Sequence, residues 1–325
     1  MLMRSGMALL FYVSCLLPLQ GQEVELAWKF AKSDKPFYQK LKSSSNQVIK
    51  IQNQSISQQQ EMEFIFAWTV KEVDANKIVL EQKIEAVMTK IVMGGNEVKY
   101  DSLAKDANEN PLSSFFKPIL GSTFTITLNP TTYAVMSVGG RDEFAKKLSD
   151  ANPQTAQLLK SILSEDQLKQ MQEPAFTVLP DKGKKVKVGD PWERTGNLSM
   201  GPLGSYNTKY TYKYAGTEKR TIDGKELNLH KIELKSTLTY KAPDTKDAGG
   251  LPFKIEGSSK LDAPEATGVI YFDAETGRVV ESKMDVKITG KLDLVVMDSK
   301  SEVELNMTMK TESTISDKNL AEAPK

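Results

Sequence analysis

The stretch TFTITLNPTTYAVMSVGGRDEFAKKL, residues 123–148, carries the chain from a strand pattern into its first helical pattern, and the fold is read outward from it. Phe124, Ile126 and Leu128 alternate with Thr123, Thr125 and Thr127. A period of two puts apolar side chains on one face and hydroxyls on the other, as in a half-buried strand. Asn129-Pro130 breaks that strand, residues 133–138 resume in β-favouring types, and Gly139-Gly140 frees the backbone before the amphipathic run 141–148. Phe144 and Leu148 share one helical face. Asn152-Pro153 opens a second helix drawn by Leu158, Leu159 and Ile162, and Ser164 with Gln167 is a capping box for a third over 165–171, closed by Pro174. Helices this short are unstable alone, so their apolar stripes must pack on a sheet or on one another.

On both sides of this module the two-residue period prevails. Upstream, Met62, Phe64, Phe66, Trp68 and Val70 share a parity against Glu61, Glu63 and Thr69; Asp74-Ala75-Asn76 then turns the chain into the row Ile78, Leu80, Ile84, Ala86, Met88, interrupted by Gln82. Downstream, residues 178–188 are an extended entry and Gly189-Asp190-Pro191-Trp192 is a turn. Tyr206, Tyr210, Tyr212 and Tyr214 follow on one parity. After Asp223-Gly224 come the rows Ile232, Leu234, Leu238, Tyr240 and Met284 to Val296, the latter bending at Gly290. Val303, Leu305, Met307 and Met309 form the last row.

The expected fold class is mainly β (α+β): long curved antiparallel sheets, two related halves being one reading, with a short central helical module packed on them. The expected division is a signal peptide over 1–21, an N-terminal β region over 22–135, the helical module over 136–175, a C-terminal antiparallel β region over 176–317 and a flexible tail over 318–325.

The N-terminus sets the compartment. Arg4 precedes an apolar run over 7–17, and Pro18 to Gly21 ends it, which is the pattern of a signal peptide cleaved after Gly21. A membrane-spanning helix needs about 20 apolar residues, and this run is shorter. Lipid attachment at Cys15, which follows the small Ser14, is the alternative. The full chain of 325 residues carries 43 basic and 42 acidic side chains, and loss of Arg4 would leave them balanced. Such a chain has no overall attraction for nucleic acid or anionic lipid. Cys15 is the only cysteine, so a processed chain has neither disulfides nor thiolate chemistry.

Side chains with catalytic potential are sparse. His230 is the only histidine, on the parity of Ile232 and Leu234, where a core-edge hydrogen bond accounts for it. No Gly-x-Ser-x-Gly elbow occurs, and Glu302 with Glu304 reads as a solvated strand face. Asp273 and Glu275 fit a chain reversal better than a calcium loop, and the paired glycines 94–95, 139–140 and 249–250 lack the spacing of a phosphate loop. No cofactor and no nucleic-acid partner is expected.

Phe66-Ala67-Trp68, Tyr100-Asp101-Ser102, the passage from Pro118-Ile119-Leu120-Gly121 to Leu128-Asn129-Pro130, and Val188-Gly189-Asp190-Pro191-Trp192, taken with the export signal and helical centre, resemble an uncharacterised family of exported bacterial proteins with a domain of unknown function. The resemblance covers residues 24–317. It implies bacterial export and carries over no catalytic residue. The resulting expectation is a non-catalytic periplasmic or extracellular envelope protein binding an apolar ligand or an exported protein partner. Its candidate surface comprises Phe115, Phe116, Trp192, Tyr206, Tyr210 and Tyr212; a carboxylate-dependent hydrolase or a purely structural role is the alternative.

Overall fold

A computed structural model describes residues 23–51, 54–105, 109–151, 153, 163–200, 203–243, 253–296 and 299–322. The signal segment with Cys15, the Leu158, Leu159 and Ile162 stripe, and Gly249-Gly250 lie outside the described residues.

Among the described residues thirteen strands join one antiparallel sheet. Its path runs from β7 (Val135–Gly139) through β6 (Thr123–Leu128), β4 (Ile78–Met93), β3 (Gln54–Val73), β2 (Phe37–Ile51), β15 (Ser299–Ser316), β14 (Arg278–Val296), β13 (Lys260–Asp273), β11 (Lys225–Lys241) and β10 (Ser205–Ile222) to β9 (Pro191–Ser199). Off this path, β5 (Asn96–Asp101) pairs with the far end of β4, and β12 (Lys254–Ile255) pairs with β14. The N-terminal and C-terminal β regions meet at the β2–β15 ladder, where Val303 lies opposite Ile51 and Ser316 opposite Tyr38. A separate two-stranded ladder joins β1 (Val24–Glu25) to β8 (Lys185–Val186).

The strand parities select the faces. Leu41, Phe64 and Val87 stand opposite one another across β2, β3 and β4, while Tyr212, Leu234 and Gly268 do so across β10, β11 and β13. These rows lie on one continuous inner face, which holds three apolar clusters. The outer face carries cross-strand ion pairs such as Lys42 with Glu63 and Lys213 with Glu233. Alternation of this kind fixes the register, because a one-residue slip would bring the charges inside.

Among the described residues three α-helices lie on the inner face. In α1 (Pro111–Phe116), Asn110 caps the first turn by accepting from the amides of Leu112 and Ser113. Following α2 (Arg141–Ala151), α3 (Glu165–Phe176) starts with the expected Ser164 and Gln167 capping box. Pro174 sits inside its last turn, contrary to the expected stop, since one backbone bond is all that is forfeited there. α3 packs against both β7 and β9, the two ends of the strand path. The sheet therefore curls until one helix reaches both of its edges, and it remains open between them.

The helices share their core with the sheet. Phe144 lies 5.0 Å ring to ring from Phe124, and Leu148, Leu168 and Phe176 are buried in the same cluster as Trp68, Leu80 and Ile126. Each leucine buried in this way contributes roughly 1.5 to 3 kcal/mol. Gly140 makes the turn into α2 at φ +88°, where a Cβ would collide with the Thr123 carbonyl. Residues 178–188 differ from the extended entry read in the sequence, because Asp181 and Gly183 turn the chain and Lys185–Val186 alone is a strand. The backbone ahead of that turn is secured from β9: the Trp192 indole donates to Val178 O at 3.1 Å and Arg194 donates to Leu179 O at 2.9 Å.

Candidate functional site

The six aromatic candidates fall into three places. Phe116 is buried and stacks on Tyr100 at 6.1 Å, with half-buried Phe115 set edge-on beside it at 5.0 Å. Trp192 stacks on Tyr212 at 5.6 Å, and half-buried Tyr210, two residues away on the same strand, also stacks on Tyr212 at 6.3 Å. Tyr206 is buried against Tyr240 in a different cluster. The fold thus brings Trp192, Tyr210 and Tyr212 together and sets Phe115-Phe116 and Tyr206 apart. Burial raises the Tyr212 phenol well above its ordinary range and pushes Tyr240 up to about 12. Tyr240 donates to Leu203 O at 2.7 Å.

His230 meets Tyr214, with the hydroxyl 2.8 Å from Nδ1. Burial lowers the His230 pKa, and the nearby Asp273 carboxylate opposes that shift. Asp273 itself organises its turn, accepting from the Glu275 amide and the Thr276 hydroxyl.

The inner face is not uniformly closed. The hairpins end at the pairs Ile51/Gln54, Met93/Asn96 and Val296/Ser299, and the register places all three at the same end of the sheet. Along β4 a bulge after Ile84 moves the inner row on to Val87, so that Ala86 and Met88 leave the row read in the sequence for the outer face. The inner-face side chains open along β4 from Leu80 at 0 % exposed to Met93 at 52 %, and along β3 from Trp68 at 4 % to Ile56 at 40 %. The same rise runs along β14 from Ile288 to Val296 and along β2 to Ile51. Phe64, Phe66 and Met62, midway, are half-buried. The inner face ends in an exposed rim of Ile51, Ile56, Met93, Val98 and Val296; its lining is apolar along β14 and β15 up to that rim, while on β2 and β3 Ser43, Ser45, Gln47, Gln58 and Gln60 stand on the same face. Monomeric proteins rarely leave contiguous apolar surface of this kind uncovered without a use for it.

On the opposite face of the same strands lies a cleft of about 710 Å³. Its floor is the backbone at Ser43, Met62, Thr89 and Tyr100, four residues that stand opposite one another across β2, β3, β4 and β5. Residues immediately before and after them rise as two walls. One wall is the cross-strand row Glu312, Lys42, Glu63, Met88, Asp101, and the other is Lys310, Ser44, Glu61, Lys90, Lys99. The register that brings these rows together links strands more than 200 residues apart in sequence, so no local signal marked them. Among the described residues no His, Cys, Asp or Glu group of three or more is placed to hold a metal ion, and no helix is long and apolar enough to cross a membrane.

Several solved structures are similar at low identity. A lipovitellin structure concerned with lipid–protein interactions aligns over 91 % of this chain and 26 % of its own, at 11 % identity and a TM-score of 0.42, so the chain spans about a quarter of that protein. The hypothetical lipoprotein YmcC of Escherichia coli aligns over 81 % of this chain and 85 % of its own, at 11 % identity and a TM-score of 0.24. A putative exported protein with a YmcC-like fold from Bacteroides fragilis aligns over 89 % and 97 %, at 6 % identity and a TM-score of 0.24. None of these likenesses establishes a shared function. No curated protein matches the chain. A family model does match, over residues 75–278, from the turn before β4 to the start of β14. The chain belongs to the family of unknown function DUF6263.

Proposed function

We propose that this chain is a non-catalytic, exported envelope protein that holds an apolar ligand at the open end of its curled sheet. The observation that carries the reading is the graded opening of the inner face toward the rim of Ile51, Ile56, Met93, Val98 and Val296. A buried core would bring these side chains out of water; instead they line the open end, with Gln47, Gln58 and Gln60 standing among them on the same face of β2 and β3. The half-buried Phe64 and Phe66, stacked at 5.5 Å, give an entering apolar chain a wall to lie on. Phe115 adds to that wall beside the α1 turn.

The export half of the reading rests on Arg4 and the apolar run that follows it. The test is native mass spectrometry of the processed protein purified from a bacterial envelope fraction, before and after extraction with organic solvent. A co-purifying apolar species that solvent removes, and that rebinds with one-to-one stoichiometry, supports the proposal. Protein that carries nothing and takes up no acyl-chain compound contradicts it.

A further inference from the structure

We propose that the outer cleft is a second binding site, for a zwitterion that joins an ammonium to a phosphate over a short span, of the phosphoethanolamine type. The two walls differ in charge. Glu312, Glu63 and Asp101 stand with Lys42 on one, and Lys310, Lys90 and Lys99 with Glu61 on the other, but Glu312, Lys310 and Lys90 also pair outside the cleft with Lys283, Asp285 and Glu97, which leaves the contrast sharpest at Asp101 and Lys99. Residues two apart on a strand lie about 7 Å apart on the same face, so the acidic and basic walls face each other across that width. From β15 to β5 the cleft crosses five strands, about 19 Å.

Both ends of the cleft share this polarity, with Glu312 and Lys310 on β15 and Asp101 and Lys99 on β5. At the β5 end the charges are uncommitted: among the described residues neither Lys99 nor Asp101 has an ion-pair partner, and the Asp101 carboxylate accepts only the Leu103 amide. In the middle Glu63 is held by Lys42 at 3.0 Å and Lys40 at 3.5 Å and Lys90 by Glu97 at 2.9 Å, and at the β15 end Glu312 meets Lys283 at 3.3 Å and Lys310 meets Asp285 at 3.9 Å, so the β5 end offers the charges still free to meet a ligand. A purely anionic or purely cationic ligand would be repelled by one wall as it is attracted by the other. A ligand carrying both charges satisfies both walls at once, and the uncharged Met88, Ser44 and Ala104 leave room for the link between them.

This site lies on the opposite face from the apolar rim and stands independently of the function proposed above. The test is isothermal titration of the full processed chain with phosphoethanolamine, with inorganic phosphate and ethanolamine as single-charge controls. The expected result is saturable binding of phosphoethanolamine, with each control at least roughly fivefold weaker, and a similar loss in Lys99→Gln and in Asp101→Asn. The exchange Lys99→Asp with Asp101→Lys keeps the net charge, reverses the polarity at two exposed positions and should weaken binding while leaving thermal unfolding unchanged. Sedimentation with phosphatidylethanolamine vesicles, against phosphatidylglycerol vesicles, identifies the source. Selective co-sedimentation that free phosphoethanolamine displaces assigns a lipid headgroup, and binding of the free compound alone assigns a soluble metabolite. The proposal is overturned by no binding in either form, by phosphate binding as tightly as phosphoethanolamine, or by an unchanged affinity in the polarity exchange.

Discussion

Gln167 of α3 donates its side-chain amide to Ser199 Oγ of β9 at 3.0 Å, and this bond fastens the helix to one end of the sheet while its body packs on β7 at the other. Three residues on, Gln170 accepts from the Ser199 amide, and Gln172 donates to Gln82 of β4 at 3.1 Å. One twelve-residue helix thus ties together strands that lie far apart along the sheet path.

If α3 is the closing element, Leu168→Ala should cost about 2 to 5 kcal/mol, the usual range for emptying a packed leucine site. Hydrogen exchange should show the protection lost in β7 and β9 as well as in α3. Loss confined to residues 165–176 would mean that the helix does not hold the edges together.

Gly140 turns the chain from β7 into α2 with φ at +88°, and an added Cβ would meet the Thr123 carbonyl. Gly140→Ala should therefore destabilise the protein by about 1 to 3 kcal/mol. Gly121, also at positive φ but with open space around it, is the control and should cost less when changed to alanine. Denaturant unfolding of the two variants checks the order.

The pH dependence should bear the mark of His230. Its pKa is lowered by burial in the folded protein, so the unfolded chain binds the proton more readily. The stability associated with neutral His230 is complete above the unfolded pKa of about 6.5 and is lost as pH falls through the lower folded value. Unfolding free energies measured from about pH 7.5 down to about pH 5 should fall less steeply for His230→Gln than for the parent. Equal slopes would show that the histidine is not coupled to folding.

The sequence was most legible where one parity is apolar over many residues. The row from Met62 to Val70 and the row from Met284 to Val296 are both inner-face strands, and the threonine-alternating stretch at 123–128 is β6. Gly290 also stands where a close approach occurs, because a Cβ there would collide with the Lys260 carbonyl of β13. Less legible was the segment after α3. Valines and lysines over 178–188 look extended, but burial of Val178 and Leu179 under Trp192 is a tertiary choice that propensity does not record. The cleft was hidden for a related reason. Lys42, Glu63, Asp101 and Glu312 lie far apart in the sequence, and only the successive pairing of β15, β2, β3, β4 and β5 puts them in one row. Nor could the sequence show that the aromatic candidates split among three clusters, since strand parity gives a face but not a position along the curl.

The central claim is that the hairpin end of the inner face admits an apolar ligand, and the direct measurement is titration of the processed chain with a fluorescent acyl-chain probe. Ile56 and Met93 are 40 % and 52 % exposed, so Ile56→Lys and Met93→Lys should fold normally while placing charge in the entrance. The account predicts saturable binding of one probe per chain, weakened roughly tenfold in the double variant by the cost of bringing apolar chain past two ammonium groups. The same affinity in parent and double variant, or no saturable binding to the parent, would contradict it.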